Sequence, residues 1–245
     1  MSAVERDIIA GGAGSRAARR ARRRARREQP AGVPVPPAPA SAHPLERQLE
    51  RVAAEVVRAI GSSRAVIGVT SAREQDDPLP HALALARVLR RHRDGDVLVI
   101  EASLRRPSRS RELLGVLPRP GLVDALRKPG AFARAVHATD EPGIAIVPSG
   151  ARTERLFIGA AAFGLVIEHA RAHAPLVIVA SPPLDEGGDG DLVSRACDQL
   201  LLVVERDATP RDAIGEAVAR AGRERFLGAI MIARGGRLRR RGRRG

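Results

Sequence analysis

From Gly61 onward the chain alternates short, continuously apolar runs with longer stretches of helical spacing. The runs are AVIGVT (65–70), VLVIE (97–101), IAIVP (144–148), LVIVA (176–180), QLLLVVE (199–205) and AIMIA (229–233). Helical patterns fall between several of them, over 81–92, 109–114, 121–127, 154–173 and 211–224. A strand that is apolar at every position has both faces buried, and helices between such strands supply the cover. The pattern therefore predicts an α/β protein: a mostly parallel sheet with helices on both faces, three layers in one domain. Ahead of the first strand, Leu45, Leu49, Val52, Val56 and Ile60 keep helical spacing and predict a helix over 44–60. No internal repeat is visible.

Composition changes this picture at the two ends. The 245 residues carry a formal charge of +14, but residues 1–30 hold nine Arg against three acids, and residues 234–245 hold seven Arg and no acid. The body between them is close to neutral. The expected organisation is an Arg-rich, then Pro/Ala-rich disordered arm over 1–43, a folded domain over 44–233, and a basic tail over 234–245. Four Phe and no Trp or Tyr leave the core to Ala, Val, Leu and Ile. The single Cys197 excludes an internal disulfide framework and fits a reducing compartment. The amino-terminal stretch has no apolar segment of the signal-peptide kind. The longest near-apolar run, LFIGAAAFGLVI (156–167), has twelve residues, whereas a membrane-spanning helix needs roughly 20. A cytoplasmic protein is expected, at most held to the inner face of the membrane.

In a sheet of this kind ligands sit at the carboxyl ends of the strands, so the residues after each run carry the chemistry. VIGVTSAREQDDPLPHALALARVL (66–89), EASLRRPSRSRELLGVLPRPGLVDAL (101–126), VPSG (147–150) and VIVASPP (177–183) together resemble the bacterial tyrosine kinases of capsule and exopolysaccharide synthesis. These belong to the wider group of MinD/ParA-like P-loop ATPases. The resemblance covers about residues 62–233, with Asp189 and Asp198 at the family's spacing after the Pro pair. It implies a P-loop NTPase-like fold.

The same alignment shows what the chain has lost. A working P-loop wraps phosphates in backbone N–H groups, places a Lys on the β/γ-phosphates and a hydroxyl on Mg²⁺. Gln75, Asp76, Asp77, Pro78, Leu79 and Pro80 stand there instead. Pro78 takes the Lys position and removes an N–H; Leu79 takes the hydroxyl position; the two Asp repel a polyphosphate. The family's two metal-supporting Asp become Glu101 and Ser103, its Walker B Asp becomes Ala180, and the adenine-side Asn becomes Ile232 or Ala233. Four independent losses at one ligand predict a pseudoenzyme with no cofactor, since positioning and Mg²⁺ electrostatics are nearly all that phosphoryl transfer asks of a protein. Without a tyrosine, the Tyr-rich autophosphorylated tail of the kinases has no counterpart.

Other residues carry weaker signals. Arg105 and Arg106, in the family's LRRP motif, are candidates for anion or partner contact; the bland alternative is a solvated loop. Glu74, Asp76, Asp77 and Glu101 could form an acidic pocket, or simply an exposed loop. His169 and His173 stand at i, i+4 without a visible third ligand, so no metal site is expected. Cys197 reads as a small buried residue. Arg239, Arg240 and Arg241 of the basic tail are candidates for an anionic membrane surface, a partner, or the acidic loop of a second subunit. Nucleic acid is disfavoured by the neutral body and the missing aromatics. The expected function is a scaffold or regulator of surface-polysaccharide assembly, partnered by a membrane chain-length regulator or other polysaccharide machinery. The alternatives are a ParA/MinD-like positioning protein on lipid or DNA and a divergent nucleotide- or metal-binding enzyme. Oligomerisation stays open: of the kinases' Glu-x-x-Arg-x-x-Arg pattern, helix 44–60 keeps only Glu55 and Arg58.

Overall fold

The computed structural model describes residues 44–73, 76–151, 159–184 and 188–232. Its first helix, α1, spans Pro44–Ile60, and seven strands follow: β1 (Ala65–Ser71), β2 (Val97–Glu101), β3 (His137–Ala138), β4 (Ile144–Val147), β5 (Leu176–Ala180), β6 (Gln199–Glu205) and β7 (Phe226–Ile232). They form one sheet in the order β3-β4-β2-β5-β1-β6-β7. All neighbours pair in parallel except β3, which runs antiparallel to β4 at the edge. The remaining helices are α2 (Leu79–His92), α3 (Ser110–Leu114), α4 (Leu122–Arg127), α5 (Phe132–Ala135), α6 (Ala160–His173), α7 (Asp189–Arg195) and α8 (Arg211–Ala221).

The apolar runs became central strands because both faces are covered. Every residue of β1, β2 and β5 is buried. Alternate side chains then feed separate cores, as the pleat requires. Ile67, Val69, Val97, Val99 and Ile178 join Leu49, Ala53 and Val56 of α1 and Leu85 and Leu89 of α2 on one face. Val66, Leu98, Ile100, Val177 and Val179 join Leu122, Phe163 and Ile167 on the other. Leu202 and Val204 pack under α8 in a third, smaller cluster with Ala217. Aliphatic packing dominates throughout, as the shortage of aromatics required.

Most predicted elements are present with small shifts, and the differences have local causes. The last strand begins at Phe226, three residues early, and its pairing with β6 is irregular between Leu200 and Leu201. Gly228, with no side chain, interrupts the apolar run between Leu227 and Ala229 and hides the strand's first residues. Helix 81–92 begins at Leu79, because proline is tolerated in a first turn. Helix α8 stops at Ala221 before Gly222, and a short 3₁₀ turn over 223–225 leads into β7. Within the span predicted helical over 154–173, the described helix runs from Ala160; residues 152–158 lie outside the described residues. Elements α5, α7 and the two-residue β3 had no sequence expectation: each is too short to show a period. The predicted arm over 1–43 and the tail over 234–245 also lie outside the described residues. No described helix is long and apolar enough to cross a membrane.

Candidate functional site

The carboxyl ends of β1, β2, β4 and β5 open onto the loops that the sequence singled out. Residues 76–78 lead into α2 beyond the end of β1. Pro78 is the N-cap of α2, and Pro80 sits in its first turn. Neither has an N–H to offer. The Leu79 N–H donates to Asp77 Oδ1 at 3.0 Å, while the Leu79 side chain is 2% exposed and belongs to the core. A helix start is ordinarily an anion site because its first amides point outward unpaired. Here prolines have removed two of those donors and Asp77 has occupied a third.

The loop carboxylates are held by guanidinium groups of the same chain. Arg73, at the end of β1, reaches Asp76 Oδ1 at 2.7 Å and Glu205 Oε2 at 3.1 Å, and donates to the Ala208 carbonyl at 2.7 Å. Asp76 is buried. The pairing with Asp76 raises the Arg73 pKa against the opposing effect of burial. Arg109, from the loop between β2 and α3, bridges Glu112 and Asp77 Oδ2. Its pKa is raised as well, first by Glu112 and then by Asp77. The Glu112 carboxyl is lowered by the same contact. Arg106 donates from Nη1 to the Asp76 carbonyl at 3.3 Å. The acidic loop is thus neither an open cation pocket nor simply solvated, at least at Asp76 and Asp77.

Glu101 ends β2 and is only 4% exposed. Its Oε1 accepts the Arg109 N–H at 2.9 Å, and its Oε2 accepts the Ser149 N–H at 2.9 Å and the Ser108 hydroxyl. A buried carboxylate needs such donors, and these tie the β2–α3 loop to the end of β4. Gly121 completes that junction. A Cβ there would lie 2.6 Å from the Pro148 carbonyl oxygen and 2.7 Å from the Gly150 backbone, so glycine lets α4 start against VPSG. Leu122 N–H donates to Pro148 O at 2.7 Å across the same contact.

The remaining predicted positions fall around this centre. Ser103 is half-buried in the β2–α3 loop. Ala180 is buried at the end of β5, and its carbonyl accepts the Ala102 N–H at 2.9 Å. Asp189 opens α7 and accepts from Arg105 Nε at 3.0 Å, with Arg105 itself largely exposed. Gln75 and Glu74 lie outside the described residues, as do Ala233, Arg239, Arg240 and Arg241. Asp198, flagged by its spacing, sits at the opposite end of the sheet. It accepts the Val66 N–H at 2.7 Å and pairs with Arg171 at 2.6 Å.

Cys197 is buried, and desolvation pushes its thiol up to about 12. His169 Nδ1 donates to the Leu165 carbonyl of its own helix (2.7 Å), and the ring lies 5.8 Å from that of Phe132. Among the described residues no group of three or more His, Cys, Asp or Glu could hold a metal ion. Arg73, Arg109 and His81 were missed from sequence. Arg73 and Asp76 at i, i+3 were the one available signal; Arg109 reaches Asp77 from 32 residues away, which no local pattern shows. The His81 imidazole pKa is lowered by burial, partly opposed by Asp77 and Asp76.

No protein-family model and no curated protein matches the sequence. Solved structures do match in fold. The chain superposes on the kinase domain of VpsO with TM-score 0.67 and 18% identity, covering 78% of this chain and 95% of that one. The kinase domain of Escherichia coli tyrosine kinase ETK gives TM-score 0.65 and 19% identity over 83% and 86% of the two chains. MinD from the MinC:MinD cell division complex of Aquifex aeolicus gives 0.52 and 19% over 69% and 68%. The chain therefore has the P-loop NTPase-like fold shared by bacterial tyrosine kinase domains and MinD.

Proposed function

We propose that this protein is a catalytically inactive relative of the capsule-type bacterial tyrosine kinases and works as a scaffold or regulator in surface-polysaccharide assembly. The observation that carries the inactive part is the loop at 76–80. Its helix start has lost three of its four free amides to Pro78, Pro80 and the Asp77 side chain, its hydroxyl position is a core leucine, and its carboxylates are neutralised internally. Glu101 spends both oxygens on the protein, and the Ala180 side chain has no oxygen to offer. Phosphoryl transfer needs phosphate positioning and metal charge at these very points.

The pathway rests on the fold being nearer to VpsO and ETK than to MinD, together with the LRRP, PGLVDAL and SPP segments. A protein partner suits a fold whose relative is solved as a MinC:MinD complex. The Arg-rich ends, including Arg239, Arg240 and Arg241, supply the charge for anionic lipid at the inner membrane face. Titration calorimetry of the full-length protein with Mg²⁺ and ATP tests the first part: heats should match dilution, and micromolar Mg²⁺-dependent binding would sink it. Sedimentation with anionic against neutral liposomes tests the second, and equal recovery from both would remove the membrane role.

A further inference from the structure

We propose that Asp76 and Asp77 act as resident substitutes for a nucleotide's phosphate groups, Asp77 latching the β2–α3 loop through Arg109 and Asp76 holding Arg73 at the end of β1, without a ligand. The inference rests on the reading that the loop holds no nucleotide, and it adds a purpose to the residues that replaced the P-loop. In nucleotide switches, a bound phosphate orders neighbouring loops by drawing their donors onto it, and loss of the phosphate releases them. Here the anions are covalent parts of the chain.

Three guanidinium groups converge on the segment Asp76–Asp77 from two directions. Arg73 comes from the end of β1, with Nη2 at 2.7 Å from Asp76 Oδ1. Arg109 comes from the far end of the β2–α3 loop onto Asp77 Oδ2. Arg106, from the middle of that loop, donates to the Asp76 backbone carbonyl at 3.3 Å. A guanidinium fork fits carboxylate and phosphate with the same geometry, so a carboxylate fixed at the mouth of the loop can satisfy donors suited to a phosphate. The second hold on the loop is independent of these acids. Glu101 accepts the Arg109 N–H and the Ser108 hydroxyl from below. Arg109 is therefore fixed by its backbone to the end of β2 and by its side chain to the loop above, which couples the two strand ends through one residue. A surface built on 102–110 is then permanently presented, where a switch protein would present it only when loaded.

The test is hydrogen exchange on the full-length protein without nucleotide. Asp76→Asn with Asp77→Asn removes both charges while keeping shape and an oxygen to cap Leu79. Amides 102–110 should exchange about threefold to tenfold faster, the scale set by the one partly exposed ion pair that reaches this loop, Asp77–Arg109, with β5 amides 176–180 unchanged. Millimolar inorganic pyrophosphate should restore protection in this variant and leave the wild type as it was. Adding Arg109→Gln should abolish that rescue. Unchanged exchange in the Asn variant, faster exchange shared by 176–180, or absence of a pyrophosphate effect confined to the variant would each overturn the proposal. Nucleotide binding by the wild type would instead defeat the pseudoenzyme reading, and calorimetry reads that separately.

Discussion

The two ends of the parallel sheet treat their aspartates in opposite ways. At the amino end Asp198 accepts the Val66 N–H, one residue into β1, and pairs with Arg171, an arrangement that any copy of this fold could use to start a strand. At the carboxyl end Asp76 and Asp77 stand where a phosphate loop would need bare backbone, and they recruit Arg73 and Arg109. Both ends are held by carboxylate–guanidinium pairs. The difference is what each holds: Asp198 supports the start of β1, whereas the loop acids bridge the ends of β1 and β6 and the β2–α3 loop. The family's spacing at Asp189 and Asp198 thus says little about nucleotide, since a hydrogen bond to Val66 is enough to account for the latter.

That contrast can be broken most sharply at Leu79. Writing the metal-ligating hydroxyl back with Leu79→Ser removes a core side chain that is 2% exposed and leaves a hydroxyl in apolar surroundings. The expected cost is about 2–4 kcal/mol, read as a fall in the urea midpoint, and a change of a few tenths would mean that the position is not core. At the other end, Asp198→Ala should cost only about 1 kcal/mol, because the pair is partly exposed and water competes for the freed donor. Chemical denaturation of the two variants side by side ranks the ends directly.

A smaller effect distinguishes the ends by pH. Burial holds the His81 imidazole below its ordinary value of 6.5. The unfolded chain then takes up a proton before the folded one does. Stability from this group is fully present above pH 6.5 and drains away as pH falls through that value toward the folded pKa. Denaturation midpoints of wild type and His81→Gln should diverge between pH 7 and 5, the variant being flatter; parallel curves would place His81 in solvent. Finally, Cys197 should resist Ellman's reagent in the native protein at pH 8. A thiol pushed up to about 12 carries on the order of a thousandfold less thiolate than an ordinary one, and burial adds to the protection. Prompt labelling without denaturant would show that α7 opens readily.

The reading of particular residues shows where local pattern suffices. Strand β5 was legible because LVIVA is buried on both faces, and a short β-branched run has few other ways to be buried. Helix α1 was legible from five apolar positions at helical spacing. The loss of phosphate-binding donors at Pro78 and Pro80 was legible too, since proline lacks an N–H in any fold. By contrast, Asp76 and Asp77 read as open acids, because their partners Arg73, Arg109 and Glu205 are fixed only when β1, the β2–α3 loop and β6 come together. Glu101 read as a replacement for a metal-supporting Asp, or as part of an acidic pocket, for the same reason: its donors come from residues 108, 109 and 149.

The sequence by itself determined the layered α/β architecture, the aliphatic core and a loop at 76–80 with two prolines and neither lysine nor hydroxyl, because period, composition and covalent structure are local properties. Tertiary structure decided what took the site's place. Electrostatic partnership depends on separation through space, and it was the meeting of the β1 end, the β2–α3 loop and the β6 end that turned an acidic loop into an internally bridged one.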